Sequence, residues 1–85
     1  MYKIHFANSK VEKDLRRYFN ERKDVQSKLM RLRENPHSAA GAHPLKGELR
    51  GKWACWLGSN IRLIYSVNDA KRIIYFEAIG SHKIY

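Results

Sequence analysis

The hydrophobic pattern of this chain changes period once, at Asn35-Pro36, and that change constrains the fold more than any other feature. Before it, Val11, Leu15, Tyr18 and Phe19 recur at i, i+4, i+7 and i+8, and Val25, Leu29 and Leu32 repeat the helical spacing. Ser9-Lys10-Val11-Glu12 has the Ser-x-x-Glu form of a capping box, so a helix is predicted from about Lys10 to Asn20. The second helix ends before Asn35-Pro36, because a residue that precedes proline is pushed out of the helical region. Two short helices in succession make a helical hairpin.

On either side of that hairpin the period is two. Tyr2, Ile4 and Phe6 share one face and Lys3 and His5 the other, which predicts a first strand over Lys3-Ile4-His5-Phe6-Ala7. After the small, polar stretch His37-Ser38-Ala39-Ala40-Gly41-Ala42, strands are expected near 45–49, 53–57, 61–67 and 72–79. Gly51, Gly58-Ser59-Asn60 and Asn68-Asp69 punctuate them at hairpin spacing, so the last four should form a meander. The expected architecture is α+β, in the order β-α-α-β-β-β(-β), with an antiparallel sheet and the N-terminal helical hairpin packed on one face. Residues 1–85 are too few for two cores, which predicts one domain. Trp53 and Trp56, three apart in a strand, should lie on opposite faces, with at least one in the core.

Composition narrows the chemistry. Cys55 is the only cysteine, and no Cys-x-x-Cys or His-Glu-x-x-His spacing appears, so neither a disulfide framework, a metal nor a cofactor is expected. No apolar run approaches the roughly 18 residues of a membrane span, and Met1-Tyr2-Lys3-Ile4 starts directly on a strand pattern, so a cytoplasmic protein without a membrane partner is expected. Seventeen Lys and Arg against eight Asp and Glu give a net charge of +9, which favours polyanions or acidic proteins as partners. Residues 1–35 interleave ten basic with five acidic side chains, whereas residues 36–85 hold seven and three. Acid is scarcest where most of the histidines lie.

That second half contains the residue types for chemistry on an RNA phosphate. A 2′-hydroxyl attacks its neighbouring phosphate once a base removes its proton and an acid protonates the leaving oxygen. Histidine suits both proton roles, and arginine offers a planar fork of donors to the charge that builds on phosphate. His43, Arg62 and His82 have those types. Each also has a plainer reading: a turn histidine, a solvated strand arginine, and a histidine in a frayed terminus. Lys46, Arg50 and Lys52 read either as a solvated basic rim or as contacts to a phosphate backbone. Tyr85 either stacks on a splayed base or packs back on the core.

Taken together, Pro44-Leu45-Lys46-Gly47-Glu48-Leu49-Arg50-Gly51-Lys52-Trp53, Ile61-Arg62-Leu63-Ile64-Tyr65 and Gly80-Ser81-His82 resemble the RelE/ParE superfamily of bacterial toxins, over nearly the whole chain. The first segment looks like the YoeB and YafQ branches, the second like the strand these share with RelE, and the ending is similar to YafQ. The resemblance implies a RelE-like fold and a type II toxin–antitoxin toxin: a ribosome-dependent mRNA endoribonuclease that needs no metal. It implies a general base at His43, a transition-state cation at Arg62, a catalytic histidine at His82 and a nucleotide-orienting aromatic at Tyr85. The two strand lysines of RelE have Trp53 and Cys55 in their places, and a histidine and an aspartate of YafQ have Trp56 and Asn60.

The implied partners are the ribosome, mRNA and a cognate antitoxin whose acidic, partly disordered segment folds onto the basic toxin. The alternative within the same superfamily is a ParE-like toxin that poisons DNA gyrase by binding and cuts no RNA.

Overall fold

The computed structural model describes residues 1–39 and 41–81. Strand β1 (Lys3–Phe6) leads into helices α1 (Ser9–Glu21) and α2 (Lys23–Glu34), followed by β2 (His43–Pro44), β3 (Trp53–Trp56), β4 (Arg62–Asn68) and β5 (Ile73–Gly80). The five strands form one sheet in the order β1-β5-β4-β3-β2. The pairs β2–β3, β3–β4 and β4–β5 are antiparallel, so the expected meander forms with the two-residue β2 in place of the strand expected near 45–49. The pairing of β1 with β5 is parallel: the helical hairpin returns the chain to its starting side, and β1 docks beside the last strand rather than the next one.

Helix α1 begins one residue earlier than the capping box suggests. Asn8 is extended and its side-chain oxygen accepts from the Val11 N–H at 3.0 Å; Asn caps as well as Ser. Glu12 does not reach back to the cap but accepts from Arg16, one turn on, at 2.8 Å. Arg22, extended at φ −135°, is the whole junction between the helices. Asp24 in the first turn of α2 favours its positive end, and buried Pro36 stops it as expected.

Val11, Leu15, Val25, Leu29 and Leu32 pack on Cys55, Leu57, Ile61, Leu63, Tyr65, Ile74, Phe76 and Ile79 to form the core. Each large side chain buried there contributes about 1.5–3 kcal/mol. Trp53 is partly buried against this core, whereas Trp56 is exposed, so the opposite-face expectation holds. Burial pushes the Cys55 thiol up to about 12 and leaves it unreactive.

The strand expected over 45–49 does not form. Regular pairing ends at Pro44, with one further bond from the Leu45 N–H to the Lys52 carbonyl at 2.9 Å. Gly47 then takes φ +69°, and Gly47–Leu49 close a 3-10 turn. A positive φ suits glycine and cannot continue a strand. Lys46 and Arg50 therefore flank a turn.

The segment after α2 is fixed to the sheet from below. The buried Tyr65 hydroxyl donates to the Pro36 carbonyl at 2.6 Å. His37 lies edge-on to Trp53, with ring centres 4.9 Å apart, and its Nε2 meets Asp69 at 3.0 Å. Asp69 also accepts from the Tyr2 hydroxyl at 2.6 Å, and these two bonds, the tyrosine's first, hold its carboxyl below the usual range. Tyr65→Phe should cost about 1–3 kcal/mol, because it strands a buried carbonyl. Chemical denaturation measures this directly, and an unchanged midpoint would mean that the loop is held without it.

Candidate functional site on the open face of the sheet

The helices pack on one face of the sheet, and no helix among the described residues covers the other, called the open face below. Cross-strand partners in antiparallel pairs point to the same side, so the register assigns residues to that open face. One row runs His43, Ala54, Ile64, Ala78; the next runs Trp56, Arg62, Gly80. Ala54 and Trp56 are two apart on β3 and link the rows. His43 and Arg62 therefore share a face, two strands apart, with buried Ala54 and Ile64 as the apolar floor beside them. Alternation along β4 points Arg62 away from Ile61 and Leu63, which are fully buried in the core.

His43 is exposed, and its Nδ1 lies 3.2 Å from the carbonyl oxygen of Gly41. A carbonyl only accepts, so Nδ1 carries the proton and, in the neutral ring, Nε2 holds the lone pair. The arrangement gives the exposed nitrogen the form of a base. The Gly41 backbone passes beside the Trp56 ring: a Cβ added there would stand 3.7 Å from its Cδ1. The Arg62 guanidinium sits over the Trp56 ring, 4.3 Å from its centre, a geometry that orients the planar cation. Trp56 thus lies between the His43 loop and Arg62 on β4.

Asn60 serves a different purpose. Arg22 donates to Asn60 Oδ1 at 3.0 Å and to Ser59 Oγ at 3.3 Å, and pairs with Asp24 at 2.8 Å. This clamp ties the β3–β4 hairpin tip to the junction of the helices. It packs so tightly that a Cβ on Gly58 would meet Arg22 and Asp24 at 3.1 Å. Asn60 is thus held in a structural bond, while Trp56 touches Arg62.

The predicted basic rim divides. Lys46 and Arg50 are exposed around the 3-10 turn. Lys52 instead pairs with Glu77, which also accepts from Ser66 at 2.8 Å. A bulge creates this contact: Ile64 pairs with Ala78 and Tyr65 with Phe76, leaving Glu77 as the extra residue in β5. His82 and Tyr85 lie outside the described residues. For the site, the sequence named Trp56 only as the residue that stands where YafQ has a histidine, without its place beside Arg62. The signal was the three-residue Gly58-Ser59-Asn60 turn with one flanking residue on each side, which sets Trp56 opposite Arg62.

No protein-family model matches the chain, and no curated protein matches it by sequence. Solved structures do match. The toxin–antitoxin complex YoeB-YefM from Staphylococcus aureus aligns with 19% identity and a TM-score of 0.74, covering 98% of this chain and 99% of that one. The YoeB/ParE toxin from Agrobacterium tumefaciens aligns with 17% identity and a TM-score of 0.73, over 95% and 99% of the two chains. YafQ from Escherichia coli aligns with 23% identity and a TM-score of 0.65, over 96% and 94%. At these identities the likeness is one of fold, and it spans nearly the whole length on both sides: the chain has the RelE-like toxin fold.

Proposed function

We propose that this chain is the toxin of a type II toxin–antitoxin pair and cuts mRNA on the ribosome. One observation carries the reading. His43 and Arg62 share the open face of the sheet, and the Gly41 carbonyl holds His43 in the tautomer that leaves Nε2 as acceptor. In the proposed reaction Nε2 of His43 takes the proton of the 2′-hydroxyl, whose oxygen forms a bond to the adjacent phosphorus. Arg62 stabilises the charge that builds on the phosphate oxygens. The bond to the 5′-oxygen breaks as His82 protonates it, leaving a 2′,3′-cyclic phosphate, so the step calls for no metal. Chain connectivity supports His82: it follows Gly80, the cross-strand partner of Arg62, by two residues, which reach at most about 7 Å. In this reading Lys46 and Arg50, exposed around the 3-10 turn, contact phosphates, Lys52 joins them only by giving up Glu77, and Tyr85 is assigned to the target nucleotide.

The partner is a cognate antitoxin, as in the YoeB-YefM toxin–antitoxin complex of Staphylococcus aureus, and the +9 charge favours an acidic segment in it. No helix among the described residues is long and apolar enough to cross a membrane, and the proposed site of action is the cytoplasm. Primer extension on mRNA after induction tests the function: new 5′ ends within translated codons are expected, together with growth arrest. Intact mRNA accompanied by DNA breaks would instead establish the gyrase poison.

A further inference from the structure

Trp56 has no place in the chemistry above, and its setting is unusual for a tryptophan. Its neighbours Cys55 and Leu57 are buried in the core, whereas Trp56 is 37% exposed on the face that carries His43 and Arg62. The buried residues in the row beside it are the smaller Ala54 and Ile64, and Trp56 is not part of the core cluster. Among the described residues the other exposed aromatic is Phe19, on α1. Trp56 lies between the two sides of the candidate site, with Arg62 over its ring and the loop of Gly41, the hydrogen-bond partner of His43, passing beside it.

An exposed indole beside a phosphate-binding cation is the arrangement by which proteins hold unpaired bases: the ring stacks on the base while the cation meets the backbone. We propose that Trp56 is a base-stacking residue that seats the unpaired base next to the scissile phosphate and, through the same ring, holds the guanidinium plane of Arg62. The ligand class is single-stranded RNA, since a base inside a duplex has its faces covered. The contact is indifferent to base identity, because every base has a π-face. This inference rests on the reading of the chain as a ribonuclease and adds a subsite to it.

The test uses short single-stranded RNA carrying 2′-O-methyl groups, which cannot be cut, and compares the parent with Trp56→Phe and Trp56→Leu by fluorescence anisotropy. Trp56→Leu should weaken binding about tenfold, and Trp56→Phe, which keeps a ring, should recover most of the loss. In a Trp53→Phe protein, where Trp56 is the only indole, RNA should quench the fluorescence, and RNA with abasic positions should quench it much less. Equal binding by parent and Trp56→Leu, or equal quenching by intact and abasic RNA, overturns the proposal. The two readings fail separately: a parent that cleaves mRNA while Trp56→Leu binds normally removes the stacking role alone. A parent that quenches with intact RNA yet yields no cleaved mRNA removes the nuclease, and with it the scissile phosphate, and leaves Trp56 as an RNA-stacking residue only. A parent that binds no RNA removes both.

Discussion

His43→Ala is expected to slow mRNA cleavage by about 10²–10⁴-fold, the range that a positioned general base contributes, and to abolish growth arrest on induction. The argument lies in the ring's surroundings. Nδ1 is committed to the Gly41 carbonyl and the side chain is otherwise exposed, so the substitution removes a proton acceptor without opening a cavity. Stability should stay within about 0.5 kcal/mol of the parent, as for an exposed residue outside the core. The measurement is therefore paired: single-turnover cleavage on programmed ribosomes and a melting curve on the same preparation. A variant as toxic as the parent, with an unchanged melting curve, would end the assignment of His43 as base. The same pair of measurements on His82→Ala asks whether the second proton role lies in the C-terminal residues.

The second large effect is expected at Arg62. Removing one donor aimed at developing charge typically costs about 10²–10³ in kcat, so Arg62→Ala should lose that much, with KM changed far less. Arg62→Lys keeps the charge but loses the planar fork and the face-on contact with Trp56. It should fall between parent and alanine, because an ammonium lacks the paired donors of a guanidinium. If Arg62→Ala raised KM and left kcat intact, the arginine would bind RNA in the ground state and the transition-state role would fall. A joint Trp56→Leu and Arg62→Ala protein should lose less than the product of the two single effects, since the side chains touch.

The helical hairpin was legible because both signals for it are local: apolar residues at helical spacing, and a proline that stops the second helix. The β3–β4 hairpin was legible for the same reason, its turn lying between two apolar runs. The 45–49 segment was not, since Leu45 and Leu49 alternate as a strand would, and only the positive φ of Gly47 shows that the chain turns there. The parallel docking of β1 on β5 was equally hidden. It depends on which sheet edge accepts a strand about 70 residues away in sequence, Lys3 pairing with Ile73, and no local pattern encodes that choice.

The site shows the same division. Residue types and spacing were enough to nominate His43 and Arg62, because the chemistry needs a proton acceptor and a planar cation, and alternation along β4 sends Arg62 away from the core. The sequence alone thus determined the two helices, the hairpin that sets Trp56 opposite Arg62, and the side of the strand from which Arg62 projects. Those properties follow from periods of 3.6 and 2 and from turn residues, which act over a few positions. Tertiary structure decided what long-range contacts govern: that Lys52 is engaged by Glu77 across a bulge, that Asn60 is held by Arg22, that His43 takes one tautomer against Gly41, and that Arg62 lies over the Trp56 ring. In each case the partner comes from another turn or strand, so the outcome is settled by how the chain packs and not by the residue's immediate neighbours.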